Sequence, residues 1–258
     1  MDIEILRYTA AKTGLGLNYI SKDEKVSYLL SRLWEVFGED VTLKGGTALN
    51  RVHLSKRGVS RFSEDIDLDH LGEGSIQRKM DDIRKGMAGI EDMEVEGPRM
   101  LHRTARFDCR YTNELGQNDR VMVEFYLSMP PYLERSSILV KSPFSDAHPT
   151  IFSVYSMEDI LAKKIIALCR RMEGKDLYDV FHALHNGYDK EKLREALRLN
   201  MDFYRLQGGL SSNIKEAMKN VKNNITYIGN STNHFIPRSL RPNWDELVNT
   251  LEADLGDI

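Results

Sequence analysis

Cysteine is scarce in this sequence, in which Cys109 and Cys169 are the only two among 258 residues. Their separation matches no spacing typical of metal-binding cysteines, and two thiols do not make a disulfide framework. The scarcity argues against a zinc-binding module and against a disulfide-rich secreted domain. We expect a reduced, cytoplasmic protein.

Long hydrophobic runs and a strong charge of one sign are also missing. No apolar run approaches the ~20 residues that a membrane-spanning helix needs, so no membrane partner is expected. The N-terminus, Met1-Asp2-Ile3-Glu4, does not resemble a secretory leader. A formal net charge of −3 gives the chain as a whole no attraction for nucleic acid. Any site for a polyanion must therefore be local.

The hydrophobic pattern changes character near residue 150. Upstream, a helix is predicted over 21–37, opening with the capping-box pair Ser21 and Glu24. Predicted strands follow over residues 41–43, 64–69, 104–111 and 120–127. Downstream the pattern is mostly helical. We expect an α+β fold, with a mixed sheet flanked by helices in an α/β domain, 1–150, and a helical C-terminal domain, 151–258.

A glycine turn follows the first predicted strand. Lys44-Gly45-Gly46-Thr47 leads into a helix for which Thr47 is the predicted N-cap. Glycine lets the backbone approach an anion closely, and the free N–H groups of a first helical turn can donate to phosphate oxygens. Such turns are also common without a ligand, so the glycines alone do not decide the function.

The segment Ser63-Glu64-Asp65-Ile66-Asp67-Leu68-Asp69 is more informative. On a strand, Asp65 and Asp67 point to one face and Ile66 points to the other. Acidic residues are depleted in strands and neighbouring like charges repel, so the pair favours a bound cation over a solvated edge strand. Oxygen ligands beside a glycine turn indicate Mg²⁺, or Mn²⁺, shared with substrate phosphates.

Glu124 is the predicted third carboxylate, because it is an acid on the otherwise apolar strand 120–127. An exposed acid on an edge strand would give the same pattern. Three carboxylates can hold two divalent ions roughly 4 Å apart, one activating a hydroxyl and one escorting pyrophosphate. This is the chemistry of nucleotidyl transfer, which would then require the metal.

These motifs resemble a known family. Lys44-Gly45-Gly46-Thr47-Ala48-Leu49 and Arg61-Phe62-Ser63-Glu64-Asp65-Ile66-Asp67-Leu68 are similar to the signature of the AbiEii/AbiGii toxin nucleotidyltransferases, which include the mycobacterial MenT enzymes. The resemblance continues through 154–165 and 175–181, where Lys175 replaces the usual arginine. It implies that the N-terminal domain has the fold of the DNA-polymerase-β-like nucleotidyltransferase superfamily.

The resemblance also implies roles for single residues. The predicted catalytic residues are Asp65, Asp67, Lys164 and Asp179. The predicted nucleotide-binding residues are Lys44, Gly45, Gly46, Thr47, Ser63 and Asp176, and the predicted metal ligands are Asp65, Asp67 and Glu124. The sequence leaves open whether Lys163 or Lys164, and whether Asp176 or Asp179, carries the helical motif. Without the family, these four are ordinary surface charges.

The C-terminal part has a local excess of positive charge. Residues 201–242 carry six basic side chains against two acidic ones, and residues 243–258 carry five acids. The basic residues are Arg205, Lys215, Lys219, Lys222, Arg238 and Arg241, with Tyr204, Tyr227, His234 and Phe235 among them. Charge mixed with aromatic rings is typical of single-stranded RNA sites, although a solvated helical surface shows it too.

We therefore expect a metal-dependent enzyme that moves an NMP from an NTP to an acceptor hydroxyl. The resemblance points to the tRNA 3′ end as acceptor, to a toxin–antitoxin system, and to a cognate antitoxin protein as partner. Two alternatives stay open, NMP transfer to a protein side chain and a nucleotide-binding regulatory module without turnover. The Asp65/Asp67 pair argues against the second, since a binder gains little from so costly a cluster.

Overall fold

A seven-stranded mixed sheet forms the centre of the computed structural model, which describes residues 1–128 and 130–258. The strands are β1 (Val41–Lys44), β2 (Ile66–His70), β3 (Glu94–Leu101), β4 (Thr104–Thr112), β5 (Asn118–Tyr126), β6 (Arg135–Val140) and β7 (Thr150–Tyr155). Their order is β3-β4-β5-β2-β1-β7-β6. Strand β2 is antiparallel to β1 and parallel to β5. The acidic strand therefore lies between the strand of the glycine turn and the strand of Glu124.

Helices flank this sheet and form most of the C-terminal part. They are α1 (Ile3–Thr13), α2 (Leu17–Phe37), α3 (Gly45–Ala48), α4 (Ile76–Ala88), α5 (Met157–Leu168), α6 (Gly174–Leu184), α7 (Lys190–Tyr204), α8 (Leu210–Asn223), α9 (Ile225–Thr232) and α10 (Trp244–Gly256). A π-helical turn, Leu49–His53, continues α3. None of the described helices combines the length and hydropathy needed to cross a bilayer. The predicted α+β architecture is confirmed.

The core explains which way the acidic strand faces. Leu29 and Leu33 of α2 pack with Leu43, Ile66 and Leu68 in one fully buried cluster. Because side chains alternate along a strand, burying Ile66 and Leu68 on the core face turns the aspartates between and after them to the opposite face. The hydrophobic pattern thus sets the orientation of the candidate site.

The predicted start of the helix over 21–37 is wrong, because α2 begins at Leu17. Ile20 is buried in a second small cluster with Leu6 and Phe62, and this packing adds a helical turn before Ser21. Ser21 is therefore not an N-cap. Its hydroxyl donates to a carboxylate in the β4–β5 hairpin.

The predicted N-cap Thr47 is also wrong, because α3 begins at Gly45. The positive φ of Gly45, +70°, turns the chain into the helix directly after β1. Thr47 lies inside the helix, where its hydroxyl donates to the Asp65 backbone oxygen and, at 2.9 Å, to Ser63 Oγ.

The acidic strand is shorter than predicted. The acidic strand begins at Ile66 rather than residue 64, because β2 pairs with β5 only from Ile66 onward. Ser156 is the N-cap of α5, since its Oγ accepts from the Asp159 N–H at 3.1 Å. Residue 150 is the first of β7, which pairs with β1. The two-domain division stays a prediction, and the sheet itself extends to Tyr155.

Candidate active site

The glycine turn and the acidic strand meet at Gly45 and Asp67. A Cβ built on Gly45 would overlap the Asp67 carboxylate. A Cβ on Gly46 would lie 3.0 Å from both the Ser63 hydroxyl and the Arg61 guanidinium. Glycine is therefore required for the approach at Gly45, whereas a Cβ at Gly46 would make a tight contact that Ser63 or Arg61 must relieve by a small shift. The two predicted motifs therefore form one site.

Asp65 and Asp67 are both half-buried at this junction. Neither carboxylate makes a hydrogen bond or an ion pair within residues 1–128 and 130–258, and only burial and more distant charges act on them. Burial, then the charges of Glu64 and Asp67, raises the pKa of Asp65 to about 7. Burial also raises the pKa of Asp67, against the opposing charge of Lys44. Two partly buried carboxylates without a cationic partner suit a divalent ion, whose preferred ligands are oxygens.

Glu124 lies at the same level of the sheet but is already paired. It is the register partner of Asp67 across β5 and β2. Its carboxylate, however, accepts from Arg106 Nε at 2.7 Å and lies 2.5 Å from Arg106 Nη2. Accordingly, no three acidic, histidine or cysteine side chains in the described part of the chain are arranged to hold a metal. The metal-ligand role of Glu124 stays a prediction.

Lys164 is held between the two acids of α6. Its Nζ lies 2.7 Å from Asp176 Oδ1 and 2.9 Å from Asp179 Oδ2. Both carboxylates are fully buried. Burial lowers the pKa of Lys164, but the charges of Asp179 and Asp176 outweigh it, so the pKa is raised. Of the two lysines left open by the sequence, Lys164 is therefore the one joined to both aspartates.

Arg61 closes this network from the other side. Its guanidinium forms a fork on Asp179, with Nε at 2.9 Å from Oδ1 and Nη2 at 2.6 Å from Oδ2. Burial works against the charged carboxylate, yet Arg61 and Lys164 hold the pKa of Asp179 at about 2. Asn50 Nδ2 donates to Asp179 at 3.1 Å and to the Gly46 carbonyl at 3.0 Å. The contacts of Asp179 are thus those of a positioning residue, and its catalytic role stays a prediction.

Lys44, predicted to bind nucleotide, is paired with an acid that sequence reasoning missed. Its Nζ lies 2.6 Å from Asp69 Oδ1 and 4.7 Å from the centre of the Tyr126 ring. Asp69 is fully buried and also accepts from the Tyr132 hydroxyl at 2.6 Å. The sequence did contain a sign of this residue, because Asp69 continues the i, i+2 series of aspartates.

Two adjoining cavities share Gly46, Asp67, Lys164 and Arg171 in their walls. We call the first, of about 320 Å³, the acidic half; its further lining includes Ser63, Glu64, Asp65, Glu124 and Asp176. We call the second, of about 400 Å³, the cationic half; its further lining is Lys44, Gly45, Ile160, Lys163, Ile166, Ala167, Arg170 and Tyr204. The two halves together form one cleft. This cleft is lined by every predicted site residue except Thr47 and Asp179, which support its walls.

The cleft also contains residues that the sequence analysis did not single out for this site. Arg61 stands inside a quoted motif, so its position could have been noted from sequence. Arg171 lies between α5 and α6, and Tyr204 is the last residue of α7, so the two are far apart in the chain. No local pattern distinguishes them from surface residues.

Comparisons with known proteins agree with this geometry. The family model described as nucleotidyl transferase AbiEii toxin, type IV toxin–antitoxin system, matches residues 28–257. MenT4, a nucleotidyltransferase toxin from Mycobacterium tuberculosis H37Rv, is 20% identical with a TM-score of 0.60, over 98% of this chain and 90% of that one. A Helicobacter pylori protein described as a nucleotidyltransferase is 16% identical with a TM-score of 0.58, over 94% and 95% of the two chains. These two likenesses show the fold. No curated protein sequence matches the chain significantly.

Proposed function

The chain belongs to the AbiEii family of nucleotidyltransferase toxins of type IV toxin–antitoxin systems, and from this premise we propose that it transfers an NMP from an NTP to the 3′ end of a tRNA in the cytoplasm. The family implies a cognate antitoxin. The observation that carries the proposal is the contact of Asp67 with Gly45, next to Asp65, in a pair of carboxylates that have no hydrogen-bond or ion-pair partner among the described residues.

The cationic half supports binding of the triphosphate. Lys44, Lys163 and Arg170 line it together with Gly45 and Gly46. Lys163 Nζ lies 4.1 Å from the centre of the Tyr132 ring and has no hydrogen-bond partner among the described residues. An ammonium group held in this way can donate to phosphate oxygens without first breaking an ion pair.

Asp65 and Asp67 are the residues that would hold Mg²⁺ or Mn²⁺. A bound divalent ion would neutralise phosphate charge and activate the acceptor hydroxyl. The chain's own contribution is to keep two carboxylates ionisable at the junction of both halves. Burial and mutual repulsion make them poor at holding that charge alone, which favours a bound cation.

The Lys164–Asp176–Asp179–Arg61 network supports the site by positioning it. It joins α5, α6 and the segment before β2, and Asn50 ties it to the glycine turn. Lys164 remains in the walls of both halves. Donors fixed before the substrate arrives need no reorganisation during the reaction, which is the main source of electrostatic catalysis.

An RNA acceptor is supported by the surface beside the acidic half. Lys175 Nζ lies 3.5 Å from Glu64, on the acidic half, and 4.4 Å from the centre of the Phe235 ring. His234 packs on Phe235 with ring centroids 4.0 Å apart and stacks on Tyr19 at 5.8 Å. The His234 ring is exposed, whereas Phe235 and Tyr19 are half-buried. Accessible rings beside cations are the usual platform for unpaired bases.

The basic residues of 201–242 add further cations to the surface of the C-terminal part. Arg205, Lys215, Lys219, Lys222, Arg238 and Arg241 are all exposed. Among the ion pairs of the described residues, one joins this set to the acidic tail, Lys222 to Glu252 at 2.5 Å. The tail helix α10 instead buries Leu247 and Leu251 in the core. The other cations of this set form no ion pair with any residue that the structure describes and can meet phosphates, so binding should weaken steeply with added salt.

The test is incubation with each labelled NTP, Mg²⁺, and either total tRNA or total protein. The proposal predicts label in the tRNA, and cleavage of the RNA should place that label at the 3′ end. Label in protein would instead support the alternative acceptor. NTP binding without any label transfer would support a regulatory module and overturn the proposal.

A further inference from the structure

The cationic half is lined by two kinds of group. Lys44, Lys163, Arg170 and two glycines line it together with an apolar set, which consists of Ile160, Ile166 and Ala167 of α5 and the ring of Tyr204. We propose that the apolar set binds the nucleobase of the NTP and that Tyr204 is the surface on which the base stacks. The inference rests on the proposed function and adds to it the place and the chemistry of base binding.

Tyr204 is held in place by its neighbours. It is the last residue of α7, and Arg205 after it adopts a left-handed φ of +51°. Arg170 Nη2 donates to the Tyr204 carbonyl at 2.5 Å, and its guanidinium lies 5.2 Å from the centre of the Tyr204 ring. Phe203 packs edge-on against the same ring at 5.0 Å. A ring fixed in this way loses little conformational freedom on binding a ligand.

The hydroxyl of Tyr204, in contrast, makes no hydrogen bond to any residue that the structure describes. Burial, together with the nearby Tyr126 and Asp69, raises the pKa of Tyr204 to about 12. The hydroxyl therefore stays protonated at neutral pH and can donate to a base edge. The flat ring offers stacking to any base, and this single donor can add a preference among bases.

The cleft offers both kinds of group that a nucleotide needs. Ile160, Lys163 or Lys164 and Ala167 recur at helical spacing, so they share one side of α5, and Arg170 follows shortly after that helix ends. A nucleoside triphosphate has a polyanionic tail and a flat apolar head. Placing the tail at Gly45, Gly46 and Lys44 leaves the apolar set for the head. An inorganic polyphosphate would use the cations and glycines only.

Calorimetric titration in Mg²⁺ without acceptor tests this, using each of the four NTPs and inorganic triphosphate as probes. Tyr204→Ala should weaken the best-bound NTP about tenfold, the scale of one lost aromatic stack. Its affinity for inorganic triphosphate should be unchanged. Tyr204→Phe should stack as the wild type does. Tyr8→Ala, which removes an exposed ring of α1 outside the cleft, is the matched control and should bind both probes normally.

Several results would overturn the inference. NTP binding by Tyr204→Ala equal to wild type would do so, as would an equal loss for NTP and triphosphate, which indicates general damage to the fold. Unchanged NTP affinity with a raised KM for tRNA would place the acceptor's base there instead. A wild-type protein that binds neither probe would overturn the proposed function itself, and so distinguishes the two failures.

Discussion

Asp67 lies so close to Gly45 that a side chain on the glycine would occupy the space of the carboxylate. This contact ties the anion-binding turn to the acidic strand across the β1–β2 pair. Substrate phosphates held by the turn would therefore sit beside the predicted metal ligands. The predictions below test this arrangement and the network behind it.

Gly45→Ala should abolish nucleotidyl transfer. The new Cβ displaces Asp67, and alanine at φ +70° also costs about 1 kcal/mol of backbone strain. The measurement is turnover together with thermal unfolding. Gly58→Ala is the matched control, because Gly58 has φ +68° and nothing lies within 4 Å of its added Cβ. Equal turnover in the two variants would contradict the contact.

Lys163→Met should stabilise the nucleotide-free protein by about 1–2 kcal/mol at pH 7. Burial is the main cause that lowers the pKa of Lys163 from 10.5 to about 8. The native state therefore holds this proton less tightly than the unfolded state, so the charge costs stability below pH 8. The cost fades as pH rises from about 8 to 10.5.

Urea unfolding at several pH values measures this. The stability difference between Lys163→Met and wild type should shrink toward pH 10.5. Lys85→Met, at an exposed position of α4, is the control and should change stability by less than about 0.5 kcal/mol. A Lys163→Met protein less stable than wild type at pH 7 would show that the ammonium group has a partner.

Lys164→Ala should reduce turnover more than Lys163→Ala. Removing Lys164 takes the shared cation from Asp176 and Asp179, which lie 2.7 and 2.9 Å from its Nζ. Loss of one partner from a buried ion pair costs about 3–5 kcal/mol, so turnover must be normalised to the folded fraction. The reverse order of the two variants would mean that the helical motif is read one residue out of register.

Arg61→Lys should lower the free energy of unfolding by about 1.5–3 kcal/mol, although the charge is kept. Lysine cannot form the two parallel hydrogen bonds that Arg61 makes to Asp179. Arg57→Lys is the control, because Arg57 is exposed and donates to a single carbonyl. Equal urea midpoints for the two variants would argue against a supporting role for the fork.

Much of this site could be predicted from local sequence. The period-2 pattern that buries Ile66 and Leu68 predicts that Asp67 faces away from the core, and the Gly45-Gly46 pair predicts close approach. Register within strands follows from such patterns because one face must be buried. The α+β architecture followed from the change of periodicity along the chain.

Contacts that depend on tertiary packing could not be predicted from the sequence. The metal-ligand role of Glu124 stays a prediction, but its pairing with Arg106 is made across β4 and β5, and no sequence pattern shows that pairing. Ser21 looked like an N-cap because its local pattern is correct, and packing of Ile20 extended the helix. Tyr204 reaches the cleft only through the course of α7.

The most direct test of the central claim is Mn²⁺ binding by the wild type and by the Asp65→Asn/Asp67→Asn variant, followed by the EPR signal of free Mn²⁺. The wild type should bind Mn²⁺ and transfer an NMP, whereas the variant should fold, bind no Mn²⁺ at this site and transfer nothing. Asp81→Asn, on the exposed face of α4, should behave as wild type. A doubly substituted protein that still binds Mn²⁺ and transfers an NMP would contradict the account.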